Sequence, residues 1–73
     1  MKTRIRELRK ERKISQEELA KAVRVTRLTI ISIENEKYTA SLILAYKIAK
    51  YFELMIEEVF DFSEVEENDE SKI

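Results

Sequence analysis

The chain has 73 residues, enough for one small domain with a limited core. It contains no Cys and no His, which excludes a disulfide framework and the usual zinc sites, and no Gly or Pro, so every turn is made by residues that carry a Cβ. The formal net charge of −1 conceals two unlike parts: residues 1–60 hold 13 Lys and Arg against 9 Asp and Glu (+4), and residues 61–73 hold one Lys against 6 acids (−5).

Apolar spacing predicts five helices. The first covers about Thr3 to Arg12, with Ile5 and Leu8 inward and Ile14 following as an anchor. The second runs from Gln16 to Val23, opened by a capping box in which the Ser15 hydroxyl and the Glu18 carboxylate each satisfy a free backbone N–H. Leu19 and Val23 lie four apart on its inner face, and the small Ala20 lets a neighbouring helix cross closely. Val25 then fills a corner. Arg24 beside it stands where a tight turn favours positive φ, and therefore glycine. Thr26 caps the third helix, Arg27 to Asn35, whose inward residues are Ile30 and Ile33. Thr39 is the expected cap of the fourth, with Ala40 at the first helical position and Leu42, Ala45, Ile48, Ala49 and Phe52 inward. The fifth, about Ile56 to Phe60, carries Glu57 and Glu58 at the positive end of its dipole but has Met55 where a serine would cap it. Phe60 and Phe62 bracket Asp61 in an alternation that suits a short strand, able to pair with Met1 to Thr3 and bring the chain ends together. The last residues, SEVEENDESKI, form a solvated acidic tail, so the expected division is a domain over 1–62 and a tail over 63–73.

The run from Ser15 to Tyr38, SQEELAKAVRVTRLTIISIENEKY, thus reads as two short helices meeting at a steep corner, a helix-turn-helix that offers its second helix to a DNA groove. SQEELA, the VTRLTI corner, IEN and the KY that follows resemble the DNA-binding domain of the phage-repressor and Cro family in its short Xre-like form, over roughly Ile5 to Phe60. The resemblance implies an all-α, five-helix lambda-repressor-like domain, to which the alternation at Phe60 to Phe62 adds a short two-stranded β pairing of the chain ends. Relatives often carry glycine where this chain has Lys13, Arg24, Glu36 and Glu53, and proline where it has Ala40. The likeness further implies an enclosed salt bridge between Arg9 and Glu34, joining the first and third helices.

At 100° per residue, Ile30 and Ile33 set the buried direction of the third helix, and the opposite stripe carries Leu28, Ser32 and Asn35, with Ile31 at its margin. By resemblance the base-reading positions are Arg27, Leu28 and Ser32. Arg27 has the planar fork for guanine O6 and N7, Leu28 reads a thymine methyl or fills space, and Ser32 is short and tolerant. Gln16, Thr26, Thr29, Asn35, Lys37 and Tyr38 match family positions that grip phosphates, which set register without reading sequence. The acidic tail would repel DNA and weaken non-specific binding.

Ile31, Ile43, Tyr46, Tyr51 and Met55 exceed what the inward stripes require. The expectation is a homodimer whose interface uses Ile43, Tyr46, Met55, Phe60 and Phe62, with recognition helices about 34 Å apart on a pseudo-palindromic operator. Neither a metal nor a cofactor nor a small-molecule ligand is expected. With only carboxylates available, and the pairs Glu17/Glu18 and Glu57/Glu58 each pointing about 100° apart, an enzyme is not expected either. No apolar run approaches the ~20 residues of a membrane span and the N-terminus lacks a signal-peptide core, so the expected location is the cytoplasm. The competing reading is an antitoxin or other protein-binding module that touches DNA only for autoregulation.

Overall fold

The computed structural model describes residues 1–63; the expected acidic tail lies, beyond Ser63, outside the described residues. In chain order the elements are β1 (Lys2–Thr3), α1 (Ile5–Arg12), α2 (Gln16–Ala22), α3 (Arg27–Glu34), α4 (Leu42–Tyr51), α5 (Ile56–Val59) and β2 (Phe60–Asp61). The strands pair antiparallel, Lys2 with Asp61 and Thr3 with Phe60. This pairing shortens two predicted helices. Thr3 is extended in the ladder, so α1 begins only at Ile5, and Phe60 leaves α5 for β2. The Arg4 N–H donates to the Val59 carbonyl at 2.8 Å, which ties the start of α1 to the end of α5.

Three helices start on a hydroxyl. Ser15 Oγ accepts from the Glu18 N–H at 3.0 Å, Thr26 Oγ1 from Thr29 at 3.3 Å, and Ser41 Oγ from Leu44 at 3.2 Å. Only the hydroxyl half of the expected capping box at Ser15 is formed among the described residues, with no return bond from Glu18. At α5 the reverse half is present: Glu58 Oε1 accepts from the Met55 N–H at 2.8 Å. The cap of α4 is Ser41 rather than Thr39. That correction moves the helix start two residues on, leaving Leu42 as the first helical residue, 77% exposed, while Leu44 at 8% takes the inward place expected for it.

Four helix ends share one geometry. Lys13, Arg24, Glu36 and Glu53 all have φ between 57° and 62°. In each case the positive-φ residue donates its N–H three residues back (Lys13 to Lys10, Arg24 to Lys21, Glu36 to Ile33, Glu53 to Lys50). The residue after it donates five back: Ile14 to Arg9, Val25 to Ala20, Lys37 to Ser32 and Leu54 to Ala49, all at 2.9 Å. These are Schellman caps built without glycine. Ile14, Val25 and Leu54, the residues just past three of them, pack half-buried against the core, so burial favours a left-handed conformation that a Cβ makes costly by about 1–2 kcal/mol.

The core is one cluster. Ile5, Leu19, Ile30, Ile33, Ile48, Phe52 and Val59 are fully enclosed, with Leu8, Ala20, Val23, Leu44, Ala45, Ala49 and Phe60 around them. Arg12 reaches from the last turn of α1 to the end of α4, donating from Nη2 to the Phe52 carbonyl at 2.7 Å with its guanidinium 5.2 Å from the Phe52 ring centroid.

Candidate nucleic-acid interface

The corner between α2 and α3 rests on Ala20, 2% exposed, which lets the helices approach, and on Val25, whose N–H bond to the Ala20 carbonyl turns the chain between them. Behind the corner sits a polar clamp. Glu34, the last residue of α3, is buried, and its carboxylate accepts from Arg9 Nε at 2.6 Å, Arg9 Nη2 at 3.1 Å and Gln16 Nε2 at 3.0 Å, with Arg6 Nε at 3.6 Å. Arg9 also donates from Nη1 to the Ile14 carbonyl at 2.9 Å. Burial alone would raise the Glu34 carboxyl, but the hydrogen bonds from Arg9 and Gln16 and the Arg9 and Arg6 charges together hold it below its ordinary value. One carboxylate therefore joins α1, the first residue of α2 and the end of α3. No buried side-chain polar atom among the described residues lacks a partner.

This clamp fixes the orientation of α3. Ile30 and Ile33 are fully buried on one side, and Arg27 and Leu28 are exposed on the other, Leu28 at 73%. Ser32 and Ile31 are half-buried, and Tyr38, 47% exposed, borders a shallow recess with Leu28, Thr29 and Ser32. Lys37 is exposed beside Tyr38. Thr26 and Thr29 are tied to one another, their hydroxyl oxygens 3.1 Å apart at the α3 cap. Asn35 accepts through Oδ1 from Arg6 Nη2 at 2.9 Å. The contacts of Arg6 with Asn35 and of Gln16 with Glu34 were not anticipated from sequence. The available signal was spacing, since Arg6 and Arg9 stand three apart on α1 and must face the same neighbour.

A second exposed region lies on α4 and its end. Ile43, Tyr46 and Met55 are 69%, 55% and 63% exposed, and Leu42 adds to them. Tyr46 and Met55 border an open groove with Ala49, Leu54 and Ile56, rimmed by Lys50, Glu53 and Glu57. Two residues expected at a subunit contact do not share this exposure. Phe60 is 3% exposed and belongs to the core because β2 turns it inward; Phe62 is half-buried against the same cluster, lining a different cleft with Lys2, Thr3 and Arg4. Tyr51 is also half-buried, its ring edge-on to Phe52 with centroids 5.3 Å apart. No helix among the described residues is long and apolar enough to cross a membrane.

Comparison with known proteins places residues 5–59 in the helix-turn-helix family. The chain is 53% identical over 66 residues to an HTH-type transcriptional regulator of Archaeoglobus fulgidus, covering 90% of this chain and 93% of that protein. It is 46% identical over 66 residues to one of Methanocaldococcus jannaschii, covering 90% and 100%, and 47% identical over 60 residues to YgzD of Bacillus subtilis, covering 82% and 91%. Its fold is similar to the crystal structure of the restriction-modification controller protein C.AhdI from Aeromonas hydrophila, with a TM-score of 0.72 and 32% identity over 78% of this chain and 86% of that one.

Proposed function

The chain belongs to the helix-turn-helix family in its phage-repressor and Cro form, a non-enzymatic class of DNA-binding transcription regulators, and from that premise we propose that it is a sequence-specific repressor acting as a homodimer on a pseudo-palindromic operator. The observation that carries the reading is the outward face of α3. A capped helix, held at its far end by the buried Glu34 clamp, presents Arg27, Leu28 and Ser32 at its surface while its apolar side is locked in the core. An α-helix so presented fits the major groove, where Arg27 reads guanine, Leu28 meets a methyl and Ser32 makes a tolerant contact.

Gln16, Thr26, Thr29, Asn35, Lys37 and Tyr38 hold the flanking phosphates in this reading. Gln16 combines two duties: one amide N–H is spent on Glu34 and a second remains to be offered outward. Thr26 and Thr29 stand at the start of α3, where the helix N-terminus favours an anion. Self-association is assigned to the exposed apolar residues Ile43, Tyr46 and Met55, the last two bordering a groove on α4 and α5 that a second copy would cover, while Phe60, buried, and Phe62, in its separate cleft, lie outside that groove. The acidic residues 63–73 would oppose non-specific attachment.

Selection of operators from a random duplex pool by the purified full chain tests this directly. Sequence-selective binding that weakens steeply as salt rises is expected, with Arg27→Ala relaxing the preference at one base position per half-site. If the protein shows no preference among duplexes but binds a protein partner tightly, the antitoxin or interaction-module reading replaces it.

A further inference from the structure

The recess between α3 and the segment after it is built differently from the rest of the proposed DNA-facing surface. Its four lining residues, Leu28, Thr29, Ser32 and Tyr38, include no charged side chain, although Arg27 and Lys37, each next in sequence to one of them, are exposed cations. Leu28 has neither donor nor acceptor and stands 73% exposed, and Tyr38 adds an aromatic ring that is 47% exposed. The Thr29 hydroxyl is held at the α3 cap, 3.1 Å from Thr26 Oγ1, and the side chain adds a methyl group to the lining. Ser32 and Tyr38 bring hydroxyls to the recess, and a hydroxyl both donates and accepts.

An apolar centre with cationic margins matches one feature of the major-groove floor, the 5-methyl group of a pyrimidine lying between two phosphate rails. Resting on the major-groove reading above, we propose that this recess is a subsite for a pyrimidine 5-methyl group. Thymine and 5-methylcytosine are accepted alike there, each in preference to its counterpart without the methyl, uracil or unmethylated cytosine. The tolerance follows from Ser32, whose hydroxyl donates to thymine O4 or accepts from cytosine N4 and so leaves the methyl as the discriminating group. Cytosine methylation at this base would then strengthen binding instead of disrupting it.

The test uses an operator selected from the random pool, with two pairs of duplexes that differ by one methyl each: thymine against deoxyuridine opposite adenine, and 5-methylcytosine against cytosine opposite guanine. Scanning every pyrimidine position, one position per half-site should show a preference of about fourfold for the methylated member of both pairs, the size expected for burying one methyl-sized apolar group. In Leu28→Ala that ratio should fall towards one. Leu28 is exposed, and an unchanged thermal transition will establish that this variant is folded. Tyr38→Ala should lower the ratio as well, whereas Tyr38→Phe, which keeps the ring, should retain it. A selected operator indifferent to the methyl at every position, or a ratio that persists in Leu28→Ala, overturns the subsite while leaving the operator reading intact. Failure of the pool to yield any preferred sequence overturns that reading first, and the subsite with it.

Discussion

Helices α3 and α4 make an instructive contrast, because similar apolar content led to a correct inner face in one and a displaced one in the other. In α3 a single hydroxyl precedes the helix, Thr29 and Ser32 interrupt the apolar residues, and Glu34 anchors the far end in a buried ion pair. The α4 segment offers two hydroxyls, Thr39 and Ser41, followed by the nearly unbroken apolar run Leu42 to Tyr46. Measured against Ala45, Ile48, Ala49 and Phe52, Leu42 lies roughly 70° from the centre of the inner face and Leu44 roughly 90°, so periodicity favours the wrong residue. Position along the helix reverses the choice. Side chains lean toward the helix N-terminus, so a leucine at the first helical position projects past the helix end, while Leu44 covers the turn before it.

That contrast can be broken most forcefully at its charged anchor. Arg9→Ala should destabilise the protein by about 3 kcal/mol in urea unfolding, since a buried carboxylate loses its main partner, with Arg6 and Gln16 keeping the loss near the lower end of the usual range. The same anchor sets an acid response. Glu34 titrates lower in the folded chain than its ordinary value of 4.5, so its stabilising contribution is complete above that value and disappears as pH falls through the depressed one. Glu34→Gln should therefore flatten the fall in unfolding midpoint between neutral and acid conditions relative to the parent chain.

On the α4 side, Leu44→Ala should cost about 2 kcal/mol and Leu42→Ala less than about 0.5, a difference that vanishes if the helix starts at Ala40 instead. Smaller is the cap itself: Ser41→Ala should cost about 1 kcal/mol, with Thr39→Ala close to neutral by thermal unfolding. The smallest effect has the opposite sign. Glu53→Gly, just past the end of α4, should stabilise by about 0.5 kcal/mol, because relief of the left-handed strain exceeds the extra entropy that glycine gives the unfolded chain.

Much of the candidate interface was legible because its signals are local. The caps at Ser15 and Thr26, the spacing of Leu19, Val23, Ile30 and Ile33, and the positive φ at Arg24 each depend on a few neighbouring residues. The tie between Gln16 and Glu34 was not legible in the same way. It spans 18 residues, and nothing in a glutamine at a helix start declares which carboxylate it will meet. Phe60 was misplaced for a related reason: an aromatic in an alternating segment can face a partner subunit or its own core, and only the β1–β2 register turns it inward.

Sequence alone determined that two short helices would meet at a close corner and leave Leu28 and Ser32 opposite Ile30 and Ile33, because helical periodicity and capping act within a turn or two of chain. Tertiary structure decided which leucine of α4 enters the core, the register in which the chain ends pair, and how Gln16 joins the Arg9–Glu34 bridge so that one buried carboxylate holds three helices. Those outcomes depend on contacts between distant residues, for which local spacing is degenerate and packing is the arbiter.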